Sequence, residues 1–298
     1  AMIEAFAATL VQRLTAIKAM HKPKEAVTER ELIDPLLSAL GWADCFTVQA
    51  ALAKAGTDVP DYLLFPTPEA KAEAAAMPDP AKRYRLGVSI VEAKAWGVPL
   101  DRGGGALGEK VPSSQMLRYL NGVEVQSDRR IRFGILTDGR YWRLYDQQAT
   151  SKSEDFLEVD LVALLGGVLP VPHDLLHPDF AERAHGLRLF LLLFGREGIA
   201  PGDNGRVRIV EALDENKRYE AKLTDDLSQI VFGTVFPGLA SALAANDPKR
   251  PAALDAAYLA ELREATLTFL YRLLFVLYAE DRDLLPTRHP GYDDYSLD

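Results

Sequence analysis

The feature that most constrains this chain is a change of hydrophobic period partway along it. From Phe46 to Tyr145 the apolar residues come in short runs, Tyr62–Phe65, Val88–Val91, Ile131–Leu136 and Tyr141–Tyr145, each bounded by Pro, Gly or Asp. Runs of that length and punctuation read as strands. Before them the spacing is helical. Ile3–Met20 carries Phe6, Leu10, Leu14 and Ile17 on one face, and Thr28–Leu40 carries Leu32, Ile33, Leu36, Leu37 and Leu40. Thr28 reads as the N-cap of the second helix with Glu31 three residues on. Pro35 should kink that helix or restart it from an Asp34 cap, and Gly41-Trp42 ends it.

Asp138-Gly139 lies between the last two runs and is a hairpin signal. Pro112–Gly122 reads as a helix opened by Ser113 and closed by Gly122. Pro66–Pro80, rich in Ala, Pro and Glu, reads as a loop or short exposed helix. After Leu161–Leu165, residues 166–204 are rich in Gly, Pro and His, although Leu187–Phe194 must bury something. Long helical patterns follow at about Tyr219–Ala245 and Ala253–Leu285. The expected order is an α/β domain over residues 1–165, a connector over 166–206 and an all-α domain over 207–298.

The net charge of −9 over 298 residues speaks against a nucleic-acid partner when taken as an average. Its distribution speaks for one. Residues 82–143 hold twelve Lys/Arg and six Asp/Glu, a local +6, and leave −15 on the remainder. A phosphate backbone is one candidate partner for such a stretch; a solvated surface is the other reading. The lone Cys45 excludes a disulfide framework and points to a reducing, cytoplasmic setting. No secretory signal is visible, and neither Leu187–Phe194 nor Leu267–Ala279 suits a membrane span.

Four polar features fall in one ordered series: Glu31 on the second helix, Pro60-Asp61 opening a strand, Glu92-Ala93-Lys94 closing the next, and Gln115 with Tyr119 at i, i+4 on the following helix. Asp61 and Glu92 on neighbouring strands suit a hard cation such as Mg²⁺, which takes carboxylate oxygens. Glu92 and Lys94, two apart on a strand, project from one face and put an amine beside an attacking water. The logic is that of metal-assisted phosphodiester hydrolysis.

The series resembles the PD-(D/E)XK nuclease superfamily, in the variant with an upstream helical Glu and a downstream Gln-x-x-x-Tyr helix. The resemblance implies a mixed sheet flanked by helices and a Mg²⁺ cofactor, with Mn²⁺ serving in vitro. It implies metal ligands at Asp61 and Glu92, a catalytic lysine at Lys94, and supporting roles for Glu31, Gln115 and Tyr119. Thr28-Glu29 through Gly41-Trp42, the Phe133–Tyr145 hairpin and Phe269–Pro286 also look like the N-terminal half of type IIG restriction-modification enzymes. There a nuclease is fused through helices to an adenine methyltransferase and a target-recognition region. That likeness implies a restriction endonuclease module acting on double-stranded DNA in phage defence. It also implies that the methyltransferase is absent from this chain, which has neither an Asn-Pro-Pro-Tyr-type motif nor a Walker A sequence.

Competing readings remain beside it. The chain could be an inactive nuclease fold serving DNA binding or assembly, or an RNA or structure-specific nuclease such as a junction resolvase. A capping box explains Glu31 without chemistry. Asp79 rivals Asp61 as the first carboxylate, but Pro78 and Pro80 on either side disfavour a strand there. His173 and His177, bracketed by Pro172 and Pro178, are a poor zinc pair. Gly103–Lys110 has Glu109 where a phosphate loop needs Lys, and reads as a flexible loop near DNA.

Overall fold

A computed structural model describes residues 2–48, 59–102, 111–165, 180–282, 284–286, 290–292 and 294–296. The chain divides into two compact units, Ala1–Leu213 and Asp214–Asp298. The Gly103–Lys110 loop and the His173/His177 pair lie outside the described residues.

The first unit is built on a six-stranded sheet whose spatial order follows the chain: β1 (Phe46–Val48), β2 (Tyr62–Leu64), β3 (Ser89–Ala93), β4 (Phe133–Thr137), β5 (Tyr141–Asp146) and β6 (Phe156–Asp160). All neighbours are antiparallel except β3 and β4, which are parallel and joined by a crossover carrying α5 (Pro112–Gln126). The fold is therefore mixed α/β. Every residue of β2, β3 and β4 is buried, so both faces of the central sheet are covered.

Two cores divide the apolar residues by strand alternation. Tyr62, Leu64, Val91, Ala93, Ile135 and Trp142 enter one core. It is shared with α1 (Met2–Lys18), with the helical stretch that starts at α2 (Glu25–Thr28), and with α7 (Phe180–Phe194). Leu63, Phe65, Ile90, Leu136 and Tyr145 enter the other, with Met116, Tyr119 and Leu120 of α5 and Tyr84. Gly134 on β4 permits the close approach of α5, because a Cβ there would lie 2.7 Å from Met116 Sδ.

Several expectations shift on folding. The second helix begins a full turn before Thr28, at Glu25, with Lys24 at the N-cap position. Pro35 neither breaks nor restarts it. A wide π turn, Glu29–Ile33, absorbs the missing N–H before α3 (Asp34–Leu37), and a second π turn, Ser38–Trp42, ends with Gly41 at φ 86°. Helix α5 runs through Gly122 to Gln126. The Pro66–Pro80 insertion holds α4 (Pro68–Ala76), capped by Thr67, and a 3-10 turn follows at Pro80–Leu86. Strands β1 and β6 lie outside the four apolar runs, because Thr47, Glu158 and Asp160 interrupt their apolar residues.

The short α6 (Leu161–Leu164) follows β6, and the described residues from 180 to 206, with α7 and α8 (Arg196–Ile199), belong to the first unit. Trp142 packs edge-on against Phe190 and Phe194 of α7, with centroids 5.4 and 5.5 Å apart, and Trp42 Nε1 donates to Phe194 O at 2.8 Å. The second unit holds α9 (Arg208–Ile230, starting in the first), α10 (Phe236–Asn246) and α11 (Ala256–Asp281). Tyr271, Phe275 and Tyr278 on α11 are exposed. The run Leu227–Asn246 carries no charged residue and is longer than either apolar stretch weighed from the sequence. By length and composition alone the helical run Arg208–Asn246 could cross a membrane, and only 6% of its apolar window is buried.

The β4–β5 turn supplies a test of the packing. Gly139 sits at φ +89°, and a Cβ there would meet Leu32 Cδ2 at 2.5 Å. Gly139→Ala should lower unfolding stability by about 1–3 kcal/mol in urea titrations. An unchanged midpoint would show that the helix does not press on this turn.

Candidate metal centre

The antiparallel register Leu63↔Ile90 and Tyr62↔Val91, carried one residue further, sets Asp61 opposite Glu92. Pro60 precedes the strand, where a missing N–H costs no ladder bond. Asp61 Oδ2 accepts the Ala93 N–H at 2.7 Å, and the charge of Asp61 acts on the Glu92 carboxyl across the pair. Lys94 lies just past β3, its N–H bonded to Thr137 O at 2.8 Å. Its Nζ donates to Glu92 Oε1 at 2.6 Å and lies 3.8 Å from Glu25 Oε2.

The helix contributes the remaining acids. Glu25 and Glu29 are four residues apart and share a face. A carboxylate oxygen from each of Glu25, Glu29 and Asp61 lies within 4.8 Å of the others, an arrangement that could hold a metal ion. Glu92 is 1% exposed, and its Oε2 is buried without a hydrogen-bond partner. Two ionised carboxylates offer each other no donor, so the Asp61–Glu92 pair needs a shared proton or a cation.

Titration behaviour follows from this crowding. Burial, reinforced by Asp61, pushes Glu92 up to about 8 against the pull of Lys94. Burial and the charges of Asp61, Glu25 and Asp34 raise Glu29 to about 7. Asp61 and Glu25 are also raised, chiefly by burial. Burial pulls the Lys94 amine down, but Glu92, Glu25 and Asp61 together outweigh it and hold the ammonium form. Hard oxygen donors, an orphaned buried oxygen and acids kept partly protonated by one another are what a divalent cation relieves.

Of the residues singled out from the sequence, Asp61, Glu92 and Lys94 come together. Glu31 does not join them. It accepts from Arg30 Nε at 2.8 Å at the surface, because it lies two residues beyond Glu29 and so on a different face of the helix. The capping-box reading also falls. Thr28 is buried within the helix and makes no cap bond to Glu31. Gln115 and Tyr119 sit on α5, over the sheet face that carries Ile90, and Gln115 Nε2 donates to Tyr119 Oη at 2.7 Å. Asp79 caps the turn after it through Ala81 N. Glu25 and Glu29 were missed, although their i, i+4 spacing was visible once the helix start was placed correctly.

The basic stretch is partly neutralised in place. Arg132 is bidentate to Asp146 and Arg140 to Asp160. Arg143 is held by Asp101 and Glu158. Asp146, Glu158 and Asp160 lie outside the stretch whose charge was counted. No family model matches this chain, and neither a curated protein nor a solved structure does.

The raised acids predict a pH dependence. Acids whose folded pKa exceeds the ordinary value stabilise the fold fully below that ordinary value. That stability is lost as pH rises through about 7 for Glu29 and about 8 for Glu92. In a chelator, urea stability should therefore fall from about pH 5 to about pH 8.5, and Glu92→Gln should flatten the upper part. Mg²⁺ should restore more stability at the higher pH than at the lower. A profile that is flat with and without Mg²⁺ would contradict the centre.

Proposed function

We propose that the first unit is a divalent-cation-dependent nuclease of the PD-(D/E)XK kind that hydrolyses phosphodiester bonds in double-stranded DNA. The reading includes a place in a type IIG restriction-modification system, with a methyltransferase and target-recognition region as partners. The observation that carries it is the conjunction at β2 and β3: Asp61 against Glu92, an unpartnered Glu92 Oε2, and Lys94 Nζ at 2.6 Å from Glu92.

Asp61 and Glu92 would hold Mg²⁺, with Glu29 and Glu25 closing the site from the helix in the place that the resemblance implies for Glu31. Bound there, Mg²⁺ supplies Lewis-acid stabilisation of charge on the phosphate and lowers the pKa of a coordinated water. Lys94 acts as a donor rather than a base. Its neighbours keep the ammonium protonated, so it can orient the attacking water and face the developing negative charge. Gln115 and Tyr119 act as a bonded pair on the neighbouring helix.

A second reading is a DNA-binding or assembly module without catalysis, and the ion pairs of Arg132, Arg140 and Arg143 favour its assembly form over DNA binding. Cations already matched by carboxylates release few counterions from DNA. Plasmid nicking with Mg²⁺ or Mn²⁺ separates the two. Glu92→Ala and Lys94→Ala should each lower nicking by ~10²–10³-fold, and Glu29→Ala by about tenfold. Glu31→Ala should stay within about twofold of wild type. Nicking that survives both Glu92→Ala and Lys94→Ala would overturn the assignment; metal uptake without nicking favours the second reading.

A further inference from the structure

The hydroxyl of Thr28 is a buried polar group beside the metal centre that the chemistry above leaves unused. Thr28 lies on α2 between Glu25 and Glu29 and is fully buried. Its Oγ1 donates to Lys24 O at 3.3 Å and accepts the Trp96 N–H at 3.0 Å. Trp96 comes two residues after Lys94, where β3 has ended and the N–H needs a partner outside the ladder. The next N–H, of Gly97, goes to Asp138 Oδ2 at 3.2 Å. Asp138 is itself held in the β4–β5 turn, where its Oδ1 accepts the N–H groups of Arg140 and Tyr141. The exit of β3 is thus clasped from two sides, by the helix through Thr28 and by the turn through Asp138.

We infer that Thr28 is a positioning residue: by taking the Trp96 N–H, its hydroxyl sets the distance between the helix bearing Glu25 and Glu29 and the strand exit bearing Glu92 and Lys94. The inference rests on the metal-centre reading and adds to it the element that brings the two ligand sets together. Glu25 and Glu29 come from a helix, whereas Asp61 and Glu92 come from two strands, so their oxygens converge only if those elements keep a fixed separation. Apolar packing of Leu32 and Ile33 holds the helix on the sheet but is non-directional. A buried hydrogen bond has a set length and direction. One such bond, Tyr62 Oη to Asp34 Oδ1 at 2.7 Å, ties the helix to β2. The Thr28–Trp96 bond ties it to β3, next to the longer Lys94–Glu25 contact.

The test is Mn²⁺ titration calorimetry on the full chain, paired with hydrogen exchange at the backbone of residues 94–97. Thr28→Val keeps the shape and removes the hydroxyl; Thr28→Ser keeps the hydroxyl and removes the methyl. Thr28→Val should weaken Mn²⁺ binding by about tenfold and speed exchange at Trp96, while Thr28→Ser stays within about threefold of wild type. Unchanged affinity and exchange in Thr28→Val would overturn the inference. Equal losses in both variants would also overturn it, because the effect would then come from packing of the methyl. Should wild type take up no Mn²⁺, the metal-centre reading fails by itself and exchange decides the clasp. Faster Trp96 exchange in Thr28→Val alone supports it, and unchanged exchange overturns it.

Discussion

The antiparallel pairing of β2 with β3 is the constraint on which the rest of the first unit depends. Tyr62 and Leu64 feed one core and Leu63 the other, and across the pair Val91 and Ile90 do the same. A slip of one residue would send each of these side chains to the wrong face, so apolar burial on both sides locks the register. Once it is locked, Asp61 must stand opposite Glu92 at the end of the pair. The carboxyl–carboxyl pairing is unfavourable in itself. It persists because the strands that impose it are held by packing several residues away, and because the Ala93 N–H fixes one oxygen of Asp61. A candidate metal centre at such a point would be pre-organised, because the fold itself holds like charges together.

How much of this was legible depends on the range of the signal. The strands whose apolar runs are bounded by Pro, Gly or Asp, β2 to β5, could be read locally, as could the Asp138-Gly139 turn. The edge strands could not. Phe46–Val48 is only three residues long, and Phe156–Asp160 mixes Leu157 and Val159 with Glu158 and Asp160, so their pairing comes from neighbours already in the sheet. Helix α7 was masked by Gly and Pro before it, yet its aromatics complete the core around Trp142. The helical acid was misplaced for a similar reason. Thr28 followed by Glu31 matches a capping box, but the hydroxyl serves Trp96, some 68 residues further on. A local pattern and a long-range bond competed for one side chain, and the long-range bond decides the helix phase.

The charge count shows the same limit in electrostatics. Summing residues 82–143 treats the chain as a line, whereas a sheet brings together charges from adjacent strands. Arg143 faces Glu158 directly in the β5–β6 register. Arg132, one residue before β4, meets Asp146 at the far end of β5. Each pairing moves an acid from outside the counted window onto a cation inside it. The excess positive charge is therefore smaller in space than in sequence, and the carboxylate–lysine centre, not a basic stripe, is the feature that suits a phosphodiester.

That centre has an internal imbalance that favours a small cation over a protein group as its counter-charge. Glu25, Glu29 and Asp61 converge, Glu92 stands outside that set, and Lys94 Nζ bridges to it by meeting Glu92 at 2.6 Å and Glu25 at 3.8 Å. Protonating Glu29 and Glu92, as their raised pKa values allow, removes repulsion below about pH 7–8 but not above it, where Glu92 Oε2 is again a buried charge without a partner. A second lysine would add length and a long stem to a space already walled by helix and strand. A divalent ion needs no stem, accepts several oxygens at once and carries the charge that the lone lysine lacks. The same reasoning explains why the helix must be held at a set distance. Oxygen–metal distances tolerate only a few tenths of an ångström, so ligands supplied by two separate elements require a directional bond between those elements.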